Sequence, residues 1–274
     1  MAPLSFTQFY QNYYRDRWPA LFQSLQISEK QTPRLNAFAQ NPPSYQQGQD
    51  IPRSENGLLS YYVMDPASII VAKALNVQSG DSVLDMCAAP GGKTLILAEA
   101  LLTEGELIAN EMSEGRRERL KKVIQQYIPR DVRDRVWVTG KDGGKFALTH
   151  KEKFDKILVD APCSGERHLL QNKKELADWN ENRTKKLAQR QYALLTAALL
   201  AAKPGGRIVY STCALSHLEN DGVIEKLLSK KEGQFELINQ PVELAETTKY
   251  GQIFLPDVCE FGPMYFCVMK KREA

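Results

Sequence analysis

Alternating strand-like and helix-like segments, which begin near residue 66, constrain this chain's fold more than any other feature. Short apolar runs typical of buried strands alternate with longer amphipathic segments typical of helices. The predicted strands are residues 82–86, 106–110, 136–139, 156–159, 207–211, 235–238 and 264–269. The predicted helices are residues 94–102, 116–127, 184–202 and 219–230.

This alternation favours an α/β fold with a mostly parallel, seven-stranded sheet and helices on both of its faces. No helix-like segment separates the last two predicted strands, so an antiparallel hairpin is expected at the sheet edge. The first 60 residues lack this alternation of strand-like and helix-like segments. They are predicted to form a small N-terminal helical extension (1–60) on a main domain (61–274). Aromatic side chains recur in the extension at near-helical spacing. They fit a helix that packs on the main domain, and they also fit a surface that stacks on RNA bases.

The composition excludes several classes of protein. The 274 residues are 43% hydrophobic and 25% charged, as in ordinary globular proteins. No apolar run approaches the roughly 18 residues that cross a bilayer, so no membrane partner is expected. A net charge of +3 is too small to indicate nucleic-acid binding by itself.

The five cysteines argue against a disulfide framework and against a metal centre. None belongs to a C-x-x-C pair, their number is odd, and the chain has only three histidines. We therefore expect reduced thiols and no bound metal. The N-terminal segment also lacks the basic start and apolar core of a secretory signal, so a cytoplasmic location is expected.

The segment DMCAAPGGKT, residues 85–94, connects the first predicted strand of the alternating region to a helix. A phosphate-binding loop, G-x-x-x-x-G-K-[ST], would need glycine at the position of Cys87. Pro90 also removes a backbone N–H group that such a loop would donate to phosphate. The dinucleotide fingerprint G-x-G-x-x-G is absent too, so neither nucleotide site fits.

A nucleoside without phosphates fits this loop better. Gly91 and Gly92 allow a ligand to approach the backbone at the carboxyl end of the sheet. Glu111 follows the second strand, where α/β cofactor domains place an acid on ribose hydroxyls. Asp142 follows the third strand, where it would meet an exocyclic amine. S-adenosylmethionine is such a molecule, although these residues alone leave other adenosine ligands open.

Two thiols follow neighbouring predicted strands. Asp160-Ala161-Pro162-Cys163 follows the fourth strand, and Ser211-Thr212-Cys213 follows the fifth. The carboxyl ends of parallel strands meet in one crevice, so these groups should face the same ligand. They suit methylation at C5 of cytosine, because a thiolate added at C6 makes C5 nucleophilic and a carboxyl group at N3 spreads the developing charge. A second thiol would assist release of the product.

Six segments across residues 57–272 resemble, in the same order, the motifs of the RsmB and Nol/Nop/Sun family of RNA cytosine-5 methyltransferases. They are DMCAAPGGKT (85–94), ANEMSEGRRERL (109–120), KDGGKF (141–146), LVDAPCSGERH (158–168), KPGGRIVYSTCALSHLEN (203–220) and GPMYFCVMKK (262–271). The N-terminal FTQFYQNYYRDRWPAL, the ERH after the Pro-Cys motif and the terminal GPMYFC most resemble the branch that acts on mitochondrial small-subunit rRNA. The resemblance implies a Rossmann-like, class I S-adenosylmethionine-dependent methyltransferase fold.

The resemblance also implies roles for individual residues. It makes Cys213 the nucleophile and Cys163 the thiol for product release. It places Asp160 at the cytosine edge and near the methionine end of the cofactor, and it places Lys93 near the catalytic pocket. The implied S-adenosylmethionine pocket comprises Cys87, Ala88, Ala89, Pro90, Gly91, Gly92, Lys93, Glu111, Arg116, Asp142, Gly143 and Asp160.

The chain departs from the family pattern at three places. Glu111 replaces a frequent Asp and keeps the carboxylate. His217 replaces a frequent Pro, and Glu166-Arg167 replaces a commoner turn that contains Gly. The last two departures leave the identity of the substrate open.

The implied substrate is structured RNA, with rRNA favoured and tRNA still open. The basic helix at 116–122 fits a phosphate-binding surface or a solvated helix face. No recognisable RNA-binding module is present, so the first 60 residues, the cleft or a protein partner would recognise the RNA, whose target cytosine must be flipped or single-stranded. A catalytically silent ribosome-assembly factor and a DNA cytosine-5 methyltransferase are the alternatives. The intact thiols argue against the first, and the Thr212-Cys213 element argues against the second.

Overall fold

The computed structural model describes residues 4–101 and 104–273. Its helices are α1 (Phe6–Tyr14), α2 (Trp18–Gln26), α3 (Pro66–Ala74), α4 (Gly92–Ala100), α5 (Glu114–Tyr127), α6 (Arg130–Arg133), α7 (Glu166–Gln171), α8 (Lys173–Ala177), α9 (Glu181–Ala201), α10 (Asp221–Lys230) and α11 (Pro256–Cys259), with 3₁₀ turns at Arg15–Arg17 and Gly143–Leu148. Its strands are β1 (Thr32–Leu35), β2 (Tyr61–Met64), β3 (Ser82–Asp85), β4 (Glu106–Asn110), β5 (Val136–Thr139), β6 (Phe154–Asp160), β7 (Ala202–Thr212), β8 (Phe235–Leu237), β9 (Glu246–Thr247), β10 (Gln252–Phe254) and β11 (Met264–Lys271).

Nine of the described strands form one sheet in the order β5-β4-β3-β6-β7-β11-β10-β9, and β8 pairs with β11. The strands β5, β4, β3, β6 and β7 are parallel, whereas β11 runs antiparallel to β7. The predicted α/β fold with a mostly parallel sheet is therefore confirmed. The predicted count of seven strands was too low, because β9 and β10 have only two and three residues and carry no recognisable pattern.

The antiparallel end of the sheet differs from the prediction in one respect. The last two predicted strands, β8 and β11, do pair antiparallel. However, β11 lies between β7 and β10, so it is an inner strand, and β9 forms this edge of the sheet. The predicted helix at 94–102 corresponds to α4, which begins two residues earlier, at Gly92; Leu102 lies outside the described residues.

Neighbouring residues of the parallel strands point to opposite faces of the sheet, and both faces are buried. Leu84 and Ile157 pack on the face that carries α9 and α10. Val83 and Leu158 pack on the other face, against α3, α4 and α5. Because both faces are covered, these strands are apolar throughout, which made them visible in the sequence.

The N-terminal helices pack on the main domain. Ser5 caps α1 through a capping box with Gln8, which begins the helix there. Phe6, Phe9 and Tyr10 are buried, and their rings lie 5.4 to 6.3 Å from that of Trp179. The packing alternative therefore holds for these rings, which are covered and offer no surface to RNA bases.

Two further features complete the fold. The turn-rich stretch at 41–49 lies between β1 and β2, which pair antiparallel as a separate two-stranded sheet. None of the helices in the described parts of the chain is long and apolar enough to span a bilayer.

Candidate active site

The carboxyl ends of the parallel strands converge on one edge of the sheet. Asp85 ends β3, Asn110 ends β4 and Asp160 ends β6, while Cys213 directly follows the end of β7. Three cavities lie along this edge of the sheet, and each is named after a residue in its wall. The Glu111 cavity and the Lys93 cavity share Cys87, and the Lys93 cavity and the Cys213 cavity share Ser68. The three cavities therefore adjoin one another in that order.

The loop between β3 and α4 separates the first two cavities. Gly91 has a φ of 124°, and a Cβ there would lie 2.9 Å from Val123 of α5, so only glycine suits this position. Thr94 donates a hydrogen bond to Asp85 at 2.7 Å and anchors the first turn of α4 to β3. Ala88, Ala89, Pro90 and Gly92 line the Lys93 cavity as the sequence predicts, whereas Gly91 lies against α5 and lines none of the described cavities.

The Glu111 cavity has a volume of about 170 Å³. Glu111 is 6% exposed, and its carboxylate accepts a hydrogen bond from the Ser113 backbone N–H at 2.8 Å. Arg116 lies 3.6 Å from the other carboxylate oxygen and donates to the Ala89 carbonyl at 2.7 Å. A buried acid with free acceptor capacity suits the paired hydroxyls of a ribose.

Asp142 differs from its neighbours in orientation. Its carboxylate accepts a hydrogen bond from the Gly144 backbone N–H at 3.1 Å and caps the 3₁₀ turn. It also lies 3.8 Å from Arg190. Gly143 and Arg190 line the Glu111 cavity, but Asp142 does not. In the described conformation Asp142 therefore shapes the turn behind the cavity, and its predicted contact with a ligand amine stays a prediction.

The Lys93 cavity has a volume of about 210 Å³, and the ion pair between Lys93 and Asp160 forms part of its wall. Lys93 Nζ lies 2.7 Å from Asp160 and 3.0 Å from the Ser68 hydroxyl. The other Asp160 oxygen accepts a hydrogen bond from Ser211 at 2.8 Å. Burial disfavours the ammonium group, but the Asp160 charge and hydrogen bond outweigh this effect and raise the pKa of Lys93.

Asp85 was missed as a site residue, although it lines the same cavity. Burial raises the pKa of its carboxyl group to about 7, against the lowering effect of the Thr94 hydrogen bond. Its second oxygen, Oδ1, is buried without a hydrogen-bond partner. An acid at the end of an apolar strand, directly before the glycine loop, was the signal that could have identified it.

The Cys213 cavity is the largest of the three, with a volume of about 670 Å³. Cys213 is the exposed thiol in its wall, and polar side chains including Asp65, Gln31 and Gln171 form much of the rest. This cavity is large enough to hold a base. Cys163 does not line it, so Cys213 is the thiol that a substrate in this cavity would meet.

The two thiols are in direct contact. Cys163 Sγ and Cys213 Sγ lie 2.6 Å apart, and the Cys213 backbone N–H donates to Cys163 Sγ at 3.3 Å. The hydrogen bond with Cys213, together with burial, raises the pKa of Cys163 well above its ordinary value. Cys163 therefore keeps its proton at neutral pH, next to the exposed thiol.

Hydrogen bonds to the Asn220 side chain fix the residues on both sides of Cys213. Thr212 donates to Asn220 at 2.6 Å and accepts from the Ala214 backbone N–H at 3.3 Å. The Asn220 amide donates in turn to the Ala214 carbonyl at 2.9 Å. The Thr212 hydroxyl therefore has a structural role next to Cys213, because its hydrogen bonds close a small turn around the cysteine.

The residues that depart from the family pattern are structural links in this fold. Glu166 and Arg167 are buried at the start of α7, and Arg167 donates to the carbonyls of Gly262 and Ile27. Arg167 also lines the Cys213 cavity. The His217 ring stacks on Tyr13 of α1 with ring centroids 4.5 Å apart. These residues therefore join the catalytic loops to the N-terminal helices.

The basic side chains of helix α5 fall into two groups, one that contacts the Glu111 cavity and its surroundings and one that is exposed to solvent. Arg116 belongs to the Glu111 cavity, and Arg117 donates to the Glu111 backbone carbonyl at 3.0 Å. Lys121 pairs with Glu118 at 2.8 Å, and both are exposed. Part of the basic run therefore serves the cavity, and the remainder is a solvated surface. Within the described residues, no group of His, Cys, Asp and Glu side chains is arranged to hold a metal ion.

The chain is similar to known RNA methyltransferases. The family model described as 16S rRNA methyltransferase RsmB/F matches residues 72–270. The chain is 43% identical over 235 residues to the 5-cytosine rRNA methyltransferase NSUN4 of Bos taurus, which covers 78% of this chain and 60% of that protein. It is 38% identical over 229 residues to the mitochondrial tRNA (cytosine(34)-C(5))-methyltransferase of Danio rerio, with coverage of 78% and 61%. The chain thus spans about three fifths of the length of these relatives.

Two solved structures from Pyrococcus horikoshii share the architecture. The crystal structure of NSun6 with SFG superposes with a TM-score of 0.69 at 28% identity, over 85% of this chain and 57% of that one. The structure of a methyltransferase homolog protein superposes with a TM-score of 0.78 at 22% identity, over 96% of this chain and 94% of that one. The second likeness concerns the fold alone.

Proposed function

Because the chain belongs to the RsmB/F family of 16S rRNA methyltransferases, we propose that it transfers a methyl group from S-adenosylmethionine to C5 of a cytosine in structured RNA. One observation carries this proposal: the exposed Cys213 thiol lines a base-sized cavity and touches a second, protonated thiol. The Lys93–Asp160 ion pair lies in the adjoining cavity. Thiol, proton donor and buried ion pair are the groups that covalent methylation of a pyrimidine requires.

The residues of the two smaller cavities fit S-adenosylmethionine. Glu111 would hold the ribose hydroxyls, and Arg116 keeps that carboxylate in place from the side. In the Lys93 cavity, the carboxylates of Asp85 and Asp160 suit the positively charged end of the molecule, and Asp85 Oδ1 still lacks a hydrogen-bond partner. When bound, S-adenosylmethionine supplies an electrophilic methyl group.

Cys213 acts as the nucleophile in this proposal. Its sulfur forms a bond with C6 of the cytosine, and the electron density gained by the ring makes C5 nucleophilic. Asp160 lies at the cytosine edge, where its carboxyl group takes a proton from the Lys93 ammonium that it contacts and donates it in a hydrogen bond to N3, which stabilises the charge that develops in the ring. Lys93 and Ser211 hold the Asp160 carboxylate from two sides, so it is oriented before substrate arrives.

Cys163 assists release of the product. After methylation the C5 proton passes to water, the electron pair of the C5–H bond forms the C5–C6 double bond again, and the electron pair of the bond between C6 and sulfur leaves with Cys213 as a thiolate. Cys163 holds a proton at its sulfur because its pKa is raised, and it lies in contact with the departing sulfur. It can therefore donate a hydrogen bond to the Cys213 thiolate, which stabilises the departing sulfur and prevents it from adding to C6 again.

We propose rRNA as the substrate class, with tRNA as the alternative. The relative of highest identity given above is named for rRNA, and a second relative is named for tRNA. The target atom of a stacked cytosine is inaccessible, so the base must enter the Cys213 cavity from a single strand or by flipping. The polar wall of that cavity supports a heterocycle with several hydrogen-bonding groups.

The test compares thiol variants of the purified chain. With S-adenosylmethionine and total RNA, the wild type should methylate one cytosine, which bisulfite sequencing locates in rRNA or tRNA. Cys213→Ala should abolish transfer and still bind S-adenosylmethionine, whereas Cys267→Ala, a buried thiol on β11, should retain transfer. A wild type that modifies no RNA and forms no adduct with 5-fluorocytosine RNA would establish the silent scaffold instead, and adducts on 5-fluorocytosine DNA alone would establish the DNA alternative.

A further inference from the structure

One buried carboxylate connects both thiol-bearing loops to helix α1. Glu166 is fully buried. Its Oε1 accepts hydrogen bonds from the Tyr10 hydroxyl of α1 and from the hydroxyl of Ser164, the residue after Cys163. Its Oε2 accepts from the backbone N–H of Leu215 at 2.9 Å, two residues beyond Cys213. Glu166 therefore fixes three segments that are far apart in the chain.

Helix α1 holds the Cys213 loop a second time. The Tyr14 hydroxyl donates to the Leu215 carbonyl at 2.9 Å, so both backbone polar groups of Leu215 are bound, one by Glu166 and one by Tyr14. Gly165, directly before Glu166, is also close to the nucleophile, since a Cβ there would lie 3.9 Å from Cys213 Sγ. The position of Cys213 thus depends on contacts made by its neighbours.

The Cys163 loop is held from its other side by a second acid. Glu219 accepts hydrogen bonds from the Ser164 backbone N–H at 3.0 Å and from the Gln191 amide at 2.8 Å. Gln191 also donates to the Pro162 carbonyl at 2.9 Å. Ser164 therefore lies between Glu166 and Glu219, and the loop that carries Cys163 is clamped on both sides.

Glu166 lacks a cationic partner. Among residues 4–101 and 104–273, no ion pair involves it, and its oxygens accept from two hydroxyls and one backbone N–H. A buried carboxylate depends on its full set of donors, because each lost donor leaves charge without compensation. Burial, together with the nearby Glu166 charge, raises the pKa of Tyr10 well above its ordinary value, so Tyr10 remains a donor at every working pH.

We propose that Glu166 and Tyr10 are positioning residues that hold Cys213 and Cys163 in their reactive arrangement. The inference rests on the proposed function, since it concerns the same thiols. Neither residue lines the Cys213 cavity, so each acts through the two loops and not by touching substrate. Helix α1 then belongs to the catalytic machinery, because without it Glu166 loses one donor and Leu215 loses its second restraint.

Tyr10→Phe is the variant that tests the proposal, and Tyr13→Phe is its matched control. Both changes remove one hydroxyl from the same helix, but Tyr13 is 47% exposed and its hydroxyl makes no hydrogen bond within the described residues. We expect Tyr10→Phe to slow single-turnover adduct formation with 5-fluorocytosine RNA about 10- to 100-fold, as misplacement of a reacting group does. The KM values for RNA and S-adenosylmethionine should stay within about twofold, because the binding cavities are intact.

Hydrogen exchange provides a readout that does not depend on activity. The Leu215 amide donates to Glu166, so its exchange should accelerate in Tyr10→Phe and in Glu166→Gln but not in Tyr13→Phe. Glutamine keeps the length of the side chain. Its NH₂ group is itself a donor, however, so it cannot accept the hydrogen bond of the group that faces it among the three donors to Glu166. If Glu166→Gln does not fold, Tyr10→Phe alone decides the question.

The outcomes separate this proposal from the proposed function. Faster Leu215 exchange with a slower adduct rate and unchanged KM values supports the positioning role. Unchanged exchange overturns it whether or not the enzyme is active, and faster exchange with an unchanged adduct rate overturns it as well, since the restraint then has no chemical effect. If the wild type forms no adduct and transfers no methyl group, the proposed function fails, whatever the exchange result.

Discussion

Replacement of Asp160 by asparagine tests the centre of the proposed chemistry. The change keeps the shape of the side chain and removes its charge. Lys93 then loses its ionic partner and keeps only the Ser68 hydroxyl at 3.0 Å. Ser211 still has an oxygen to which it can donate, provided that the new amide orients its carbonyl toward it. The variant therefore removes one charge and leaves the geometry of the site otherwise unchanged.

The structure sets the expected magnitudes. The side chains of Lys93 and Asp160 are 12% and 29% exposed. Breaking a fully buried pair costs roughly 3–5 kcal/mol, and the partial exposure of Asp160 reduces this to about 2 kcal/mol of unfolding free energy. At saturating S-adenosylmethionine, loss of the acid that the proposal places at N3, which an amide cannot replace as a proton donor to the ring, should lower the methyl-transfer rate about 100-fold or more.

The assay is single-turnover methyl transfer, with denaturant unfolding measured in parallel. Ser211→Ala is the control, because it removes one hydrogen bond to Asp160 and leaves the ion pair, so its rate should fall less than that of Asp160→Asn. If Asp160→Asn keeps more than a tenth of the wild-type rate at saturating cofactor, the carboxylate does not stabilise the reacting ring. If its stability is unchanged, the Lys93 charge does not depend on Asp160.

Three further predictions follow from the same geometry. Cys163→Ala should accumulate covalent RNA adducts on denaturing gels, because the donor beside Cys213 is gone; a wild-type level of adduct would remove its role in release. Glu111→Gln should weaken S-adenosylmethionine binding about 10- to 100-fold in calorimetry, since charged hydrogen bonds contribute roughly 1.5–3 kcal/mol, and an unchanged Kd would place the ribose elsewhere. Burial raises the pKa of Asp85 from 3.8 to about 7, so wild-type stability should fall as pH rises through the window from about 4 to 7. Asp85→Asn should flatten that loss by about 2 kcal/mol between pH 5 and pH 8 in urea titrations, whereas parallel slopes would contradict the raised pKa.

The sequence and the structure agree most closely where the signal was local. The strand β4 is apolar and almost wholly buried, and it begins and ends at the predicted residues. The edge strand β5, whose Trp137 is exposed, also begins and ends where predicted. Parallel strands end at one edge of the sheet, and this rule predicts that Asp160, Cys163 and Cys213, at the ends of β6 and β7, lie together. The division at residue 60 and the cytoplasmic location stay predictions.

Other features depended on tertiary contacts that no local pattern records. Strands β9 and β10 are too short to be stable alone; β10 forms because β11 offers it an edge, and β9 pairs in turn with β10. Asp142 has the predicted place in the chain, but its carboxylate accepts a hydrogen bond from the Gly144 backbone N–H and caps the 3₁₀ turn. In the sequence Glu166 is only a departure from the family pattern, yet it is buried and accepts a hydrogen bond from Tyr10, which precedes it by 156 residues.

The sequence by itself determined the parallel strands of the sheet, the places of the thiols after these strands and the glycine loop, because strand period, glycine spacing and residue chemistry act over a few neighbouring residues. The tertiary structure alone decided which acids face a cavity, which thiol lines the Cys213 cavity and what holds the two thiol-bearing loops. Those outcomes depend on burial and on hydrogen bonds between distant segments, whose energies arise only when the chain has folded.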